Sequence, residues 1–224
     1  MNFSRNNPSP RYVALQEQYR AMHEKGENFL GVPADQTFPG ASLAPQAARI
    51  KRLIDLTESV TILDYGSGKG KQYFPHPVKD GNGGEWPSIA DYWDVEPVVC
   101  YDPCYLPFST LPVGKFDGVI STDVLEHCPD EDIPWIIGEI FGYAKRFVFA
   151  SVACFPARKR LPNGENAHCT IKPMTWWKQA MEDAAVRHPG IVWEVWIQTK
   201  VQTPQGDEYI EHRIGSDISG PSVA

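Results

Sequence analysis

Four segments of this 224-residue chain place chemically capable side chains close behind short apolar runs. The first, Asp64-Tyr65-Gly66-Ser67-Gly68-Lys69-Gly70, follows Val60-Thr61-Ile62-Leu63. Glycines at alternate positions let a backbone turn sharply and approach a ligand with no Cβ in the way. Asp64 would repel a pyrophosphate, yet its carboxylate can accept hydrogen bonds from an ammonium group. A Walker loop is excluded because Gly70 follows Lys69 where Ser or Thr is needed, and G-x-G-x-G departs from the G-x-G-x-x-G of dinucleotide sites. The spacing points to a ligand with a cationic amino-acid end and no phosphates.

The second segment, Val98-Val99-Cys100-Tyr101-Asp102, ends on a carboxylate suited to both hydroxyls of a ribose. The third, Phe116 to His127, gathers Ser121, Thr122, Asp123, Glu126 and His127 behind Gly118-Val119-Ile120. The fourth, Arg158-Lys159-Arg160-Leu161-Pro162-Asn163-Gly164-Glu165-Asn166-Ala167-His168, follows the run Phe147 to Val152. Imidazole titrates near neutrality, so His168 is the expected general base and His127 the second choice. The Arg158-Lys159-Arg160 cluster reads either as a solvated loop or as a docking point for an anionic acceptor. Of Trp176 and Trp177, one is expected in the core and the other is free to stack on an acceptor ring.

These groups need elements to hold them. Ser9 and Pro10 open a first helix that Gly26 stops, with Tyr12, Leu15, Tyr19 and Met22 on a narrow stripe. A second helix is predicted from about Pro45 to Thr57. A third follows Asp130, Glu131 and Asp132, whose charges suit a helix N-terminus, and a fourth covers Met174 to Arg187. The apolar runs at 60–63, 98–101, 118–121 and 147–152 read as strands covered on both faces. Ile191 to Ile197 and Glu208 to Ile214 read as an antiparallel pair joined by a turn region of nine or more residues containing Pro204 and Gly206. The expected fold is a Rossmann-like three-layer α/β/α sandwich with a mostly parallel sheet and a C-terminal antiparallel hairpin. Ligands of such sheets bind at the carboxyl ends of the strands. One domain is expected, with residues 1–45 as a helical cap, 46–214 as the core and 215–224 as a frayed tail.

The order of these motifs, D-x-G-x-G-x-G after the first strand, Asp102 after the second and F-D-x-V-x-x-x-D-V-L-E-H from Phe116 to His127, resembles the class I S-adenosylmethionine-dependent methyltransferases. The resemblance covers roughly Ile50 to Ile197, and the glycine loop and D-V-L-E-H are its specific parts. With Leu161-Pro162-Asn163-Gly164-Glu165-Asn166-Ala167-His168, the chain looks like a subgroup found in bacterial and phage sequences. The resemblance implies S-adenosylmethionine as cofactor and S-adenosylhomocysteine as product. It assigns Asp64, Tyr65, Gly66, Ser67 and Gly68 to the methionine end, Asp102 to the ribose, and Ser121, Thr122 and Asp123 to the carboxypropyl group and sulfonium. Tyr101, Pro103 and Leu106-Pro107-Phe108 would pack on adenine. Glu126 would lie at the mouth of the substrate pocket beside His127, with Arg158, Asn166 and Trp176 facing the acceptor. The expected activity is methyl transfer to an oxygen or nitrogen of a small or carbohydrate-like acceptor. The alternatives are a nucleotide or nucleic-acid methyltransferase and a cofactor-binding protein without turnover.

Two departures from the family pattern stand out. The 38 positions from Asp64 to Asp102 hold several prolines and glycines, so the helix after the glycine loop is expected to be short or displaced. Only 13 residues separate Asp102 from Phe116, too few for a crossover helix and an edge strand, so one strand of the common seven is expected to be missing.

Composition narrows the setting. Lys and Arg number 21 against 28 Asp and Glu, a formal net charge of −7, which argues against an extended nucleic-acid track held by counterion release. No apolar run approaches the roughly 20 residues of a membrane span. The start, Met1-Asn2-Phe3-Ser4-Arg5-Asn6-Asn7, lacks the apolar stretch of a secretory signal, so a cytoplasmic location is expected, that of the host for a phage protein. The five cysteines are scattered without a C-x-x-C pair and read as free thiols. Cys100, Cys104 and His127 lack the paired spacing of a zinc site, and no metal is expected from the sequence.

Overall fold

The computed structural model describes residues 3–79, 83–203 and 206–217. Helix α1 (Pro10–Lys25) starts where the Ser9 hydroxyl accepts the Tyr12 N–H, and it stops at Gly26. Helix α2 (Ala47–Thr57) follows a 3-10 turn and leads into β1 (Ile62–Tyr65). Next come a small hairpin, β2 (Val78–Lys79) with β3 (Glu85–Trp86), the short α3 (Ile89–Trp93) and β4 (Val99–Tyr101). Strand β5 (Phe116–Thr122), α4 (Ile133–Tyr143), β6 (Ala144–Ala153), α5 (Met174–Ala185), β7 (Val192–Thr203) and β8 (Gly206–Gly215) complete the order.

The main sheet runs β4-β1-β5-β6-β7-β8, with β4 to β7 parallel around β1 and only β8 antiparallel. Alternate residues of a strand face opposite sides. On one face Leu63, Val119 and Val148 pack against Ile136, Ile137 and Phe141 of α4 and Trp177 and Met181 of α5. On the other, Ile62, Ile120 and Phe149 meet Ile50, Leu53 and Ile54 of α2 and Trp93 of α3. Three layers result, as the alternation of elements predicted. The chain leaves β1 for β4 on one side and returns to β5 on the other. The strand order therefore reverses at β1, the place where open α/β sheets form a crevice.

The glycine loop runs into a single 3-10 turn, Lys71–Tyr73, and the link from β4 to β5 holds only the turn Leu106–Phe108. The final hairpin differs from expectation. Strand β7 continues to Thr203 and pairs with β8 from Gly206, because the β-branched Thr199, Val201 and Thr203 extend the ladder where a long turn was expected. Pro204 of that turn and residues 218–224 of the expected tail lie outside the described residues.

Asp132 stands at the N-cap of α4, where the sequence places it, and has a further role. It is buried and accepts the N–H and hydroxyl of Ser9 and the indole N–H of Trp135, fastening α1 to α4. A second fastening precedes α1. The Arg5 guanidinium bonds Glu139 of α4, the Tyr101 hydroxyl (3.0 Å) and the Tyr65 hydroxyl (2.9 Å). No helix among the described residues is long and apolar enough to cross a membrane.

Candidate functional site

A cleft of about 230 Å³ opens at the carboxyl ends of β1, β4 and β5. Of the residues singled out from the sequence, it brings together Gly66, Gly68, Asp102, Pro103, Thr122, Asp123 and His127. Its opposite wall is α1, through Tyr12, Leu15, Gln16, Tyr19 and His23, and its side is the segment 38–42.

The glycine loop is bound to protein on every amide from Gly66 to Gly70. Gly66 and Ser67 N–H donate to the Tyr101 carbonyl, Gly68 to Asp102 Oδ2, Lys69 to the Phe38 carbonyl and Gly70 to the Ser67 carbonyl. No loop amide is left to cradle a phosphate, which agrees with the exclusion drawn from spacing. The glycines serve close approach of protein to protein. Gly68 has φ +58°, and a Cβ there would sit 2.4 Å from the Phe38 carbonyl oxygen; one at Gly66 would sit 2.4 Å from Val124 Cγ2. Gly68→Ala is therefore expected to cost about 2 kcal/mol, from left-handed backbone strain and displacement of the 38–42 segment. Thermal unfolding should show a midpoint lower by roughly 4 to 8 °C.

Asp102 lines the cleft while its carboxylate is held at two points, by Gly68 N–H (3.0 Å) and Cys104 N–H (2.8 Å). A carboxylate has about four acceptor positions, so two remain for a ligand. Burial raises its pKa to about 6, partly offset by these backbone bonds. His23, 3.9 Å away, is driven down to about 3 by burial and by the Lys69 and Lys159 ammonium groups, so it is neutral at physiological pH and gives no ion pair. Lys69 instead donates to the His23 carbonyl (3.0 Å), tying the end of α1 to the glycine loop.

Asp64 does not reach the cleft. It sits behind the loop, where Oδ2 accepts Gln72 Nε2 and the Tyr73 hydroxyl, both at 2.9 Å, while Oδ1 has no protein partner. The side chain falls on the face of β1 turned to α2 and α3, opposite to Leu63 and Tyr65. Burial pushes its pKa up to about 7. Because this exceeds the unfolded value of about 3.9, the folded chain holds the proton more tightly. The stability so gained is full below about pH 4 and is lost as pH rises through 7. Asp64→Asn removes that loss, and its stability relative to the unsubstituted chain should rise from pH 4 to 8 in urea unfolding. A pH-independent difference would contradict the assignment.

At the other end of the cleft, Asp123 has a left-handed backbone (φ +60°) and its N–H donates to the Ser151 carbonyl. His168 Nε2 lies 3.8 Å from Asp123 Oδ1, and the rings of His127 and His168 meet edge to face at 4.8 Å. His168 Nδ1 bonds the Phe155 carbonyl (2.6 Å) and His127 Nδ1 the Ala167 carbonyl (2.9 Å). Carbonyls only accept, so a proton is assigned to each Nδ1; the Tyr19 hydroxyl, 3.0 Å from His127 Nδ1, donates to the same Ala167 carbonyl, which leaves Nε2 as the free nitrogen. Burial, reinforced by His168 and opposed by Asp123, lowers His127 to about 4. That makes His127 a poor proton acceptor near neutrality; His168 is buried behind Asp123 and does not itself line the cleft.

Several expected contacts are corrected. Glu126 is not at a mouth: it is fully buried, with Oε1 accepting the Ala153 N–H (2.5 Å) and Oε2 unpartnered, and burial holds its pKa well above the carboxylate range. Tyr65 and Tyr101 face α4 and are locked by Arg5 and Glu139, so neither ring packs on a ligand in the cleft. Ser67 and Ser121 are buried beside it. Leu106 is 84% exposed and Phe108 packs over Gly70. Asn166 is a brace, bonding both the N–H and the carbonyl of Ala157 and the His168 N–H, and so it positions His168. Arg158 is exposed and Trp176 leans on the buried Trp177; neither lines the cleft.

Of the basic cluster only Lys159 lines the cleft, with Nζ 4.5 Å from the centre of the Phe38 ring. The sequence reading gave residues 1–45 as a helical cap without naming the α1 residues that wall the cleft. Their signal was the stripe Tyr12, Leu15, Tyr19 with His23, narrow yet aromatic. Comparison of the chain with protein-family models, with curated proteins and with solved structures returned no match to any of them.

Proposed function

We propose that the protein is an S-adenosylmethionine-dependent methyltransferase acting on an oxygen or nitrogen of a small acceptor, anionic or carbohydrate-like. The observation that carries the reading is Asp102. It presents a carboxylate with spare acceptor positions into a crevice at the strand-order reversal, beside the Gly66-Gly68 turn. A ribose diol fits such a group, and the occupied loop amides disfavour a dinucleotide. The fit fails at Asp64, which is spent on Gln72 and Tyr73, so the methionine portion falls to Thr122 and Asp123.

When bound, S-adenosylmethionine supplies a methyl group on a positively charged sulfur. The chain's own work is to align the acceptor and take its proton. His168, braced by Asn166 and held by the Phe155 carbonyl, offers Nε2 for that proton beside Asp123. Lys159 supplies positive charge to an anionic acceptor, and Tyr12, Leu15 and Tyr19 of α1 exclude water from the opposite side. Calorimetry with S-adenosylhomocysteine, S-adenosylmethionine and NAD tests the reading. Binding of the first two is expected, and binding of NAD alone would overturn it. A labelled-methyl screen of sugars, nucleotides and oligonucleotides then names the acceptor, and labelling of DNA or RNA would favour the nucleic-acid alternative.

A further inference from the structure

We propose that Asp123, His127 and His168 form a binding site for a divalent transition-metal ion at the rim of the cleft. The inference stands on this cluster alone and holds whether or not the cleft takes S-adenosylmethionine. Each of the three residues brings a donor atom within 4.8 Å of the others. A cation about 2.1 Å from each donor needs donors about 3 to 3.5 Å apart, so side-chain adjustments of about 1 Å close the site.

Further features of the surroundings suit the cluster to a cation. Both imidazoles spend their Nδ1 proton on a main-chain carbonyl, of Phe155 and of Ala167, which fixes the rings and frees Nε2. This is the outer support that metal-binding histidines carry. Asn166 adds a brace on the His168 backbone. Asp123 takes a left-handed backbone, which aspartate adopts readily, and its Oδ1 lies 3.8 Å from His168 Nε2. Behind it lies the fully buried Glu126, whose Oε2 has no protein hydrogen-bond partner. Lys159 faces the same cluster and opposes the cation, so the affinity depends on the histidines as much as on charge.

Two neutral nitrogens and one carboxylate oxygen suit manganese, iron(II), cobalt(II) or zinc better than magnesium or calcium, which favour all-oxygen shells. In the methyltransferase reading, a cation on His168 Nε2 would occupy the lone pair otherwise offered to the acceptor's proton, and would instead ease loss of that proton by polarising the acceptor oxygen.

Cobalt(II), titrated into the chelator-treated full chain and followed by visible absorption, tests the site. One equivalent is expected to bind, with Asp123→Asn and His168→Gln each weakening it by roughly tenfold or more. Asparagine tolerates φ +60° and the side chain is half-exposed, so Asp123→Asn keeps the fold, which circular dichroism checks. Absence of a cobalt signal, or a signal that neither substitution alters, overturns the site. S-adenosylhomocysteine binding is measured on the same samples: cobalt without that ligand supports the site and removes the methyltransferase reading, and the ligand without cobalt does the reverse.

Discussion

Asp102→Ala is expected to weaken S-adenosylhomocysteine binding by about a hundredfold. Two hydrogen bonds from ribose hydroxyls to a charged acceptor contribute about 1.5 kcal/mol each at the low end, or about 3 kcal/mol together. The substitution also releases Gly68 N–H and Cys104 N–H, so the loop that floors the cleft loses its tie to β4. Asp102→Asn keeps an acceptor oxygen without the charge and should fall between. The carboxylate titrates near pH 6 in the free protein, where burial raises it. Affinity should therefore increase as pH rises through 6, since the ionised form is the better acceptor, and this dependence should vanish in Asp102→Asn. Calorimetry across pH 5 to 8 reads both effects, and a melting curve separates lost binding from lost fold. A Kd for Asp102→Ala within about threefold of the original would place the ribose elsewhere.

The largest expected effect on stability is that of Arg5→Ala. Arg5 and Glu139 are 26% and 19% exposed, and the guanidinium also bonds the two tyrosine hydroxyls at the ends of β1 and β4. Its removal leaves a largely shielded carboxylate without a cation. Discounted for the exposure, the loss is about 2 to 3 kcal/mol. For a chain of this size that lowers the unfolding midpoint by roughly 4 to 12 °C. Glu139→Gln with Arg5 intact should cost less, because it keeps the acceptor oxygen. A shift below about 1 °C for Arg5→Ala would mean that the network does not hold the N-terminal segment to the sheet.

The six strands of the main sheet were legible because β-branched, apolar runs of the right length alternate with helical stripes. Chain order alone placed Asp102, Thr122 and Asp123 at strand ends. Which way a strand-end side chain turns was not legible. Asp64 and Tyr65 are adjacent, and the alternation of β1 sends one toward α2 and α3 and the other toward α4. Glu126 and Asn166 were misread for a related cause. Each lies beside a residue that does reach the cluster, yet each spends its polar atoms on neighbouring backbone, a fact of tertiary contact that no spacing announces. Lys159 was hidden between two arginines of the same charge until the loop's direction separated them.

The inward face of α1 bears on how the protein can change over generations. Gln16 and Leu15 line the cleft from a helix that shares no hydrogen-bond ladder with the sheet, while Asp102 and the glycine loop belong to the strand ends. A substitution at the half-buried Gln16 reshapes what the cleft admits and leaves the strand ladder intact, whereas one at Leu15 or Tyr19 also disturbs the packing on Leu161 or the bond to the Ala167 carbonyl. Ligand choice and fold integrity are thus separable at Gln16 and coupled at its neighbours on the same helix.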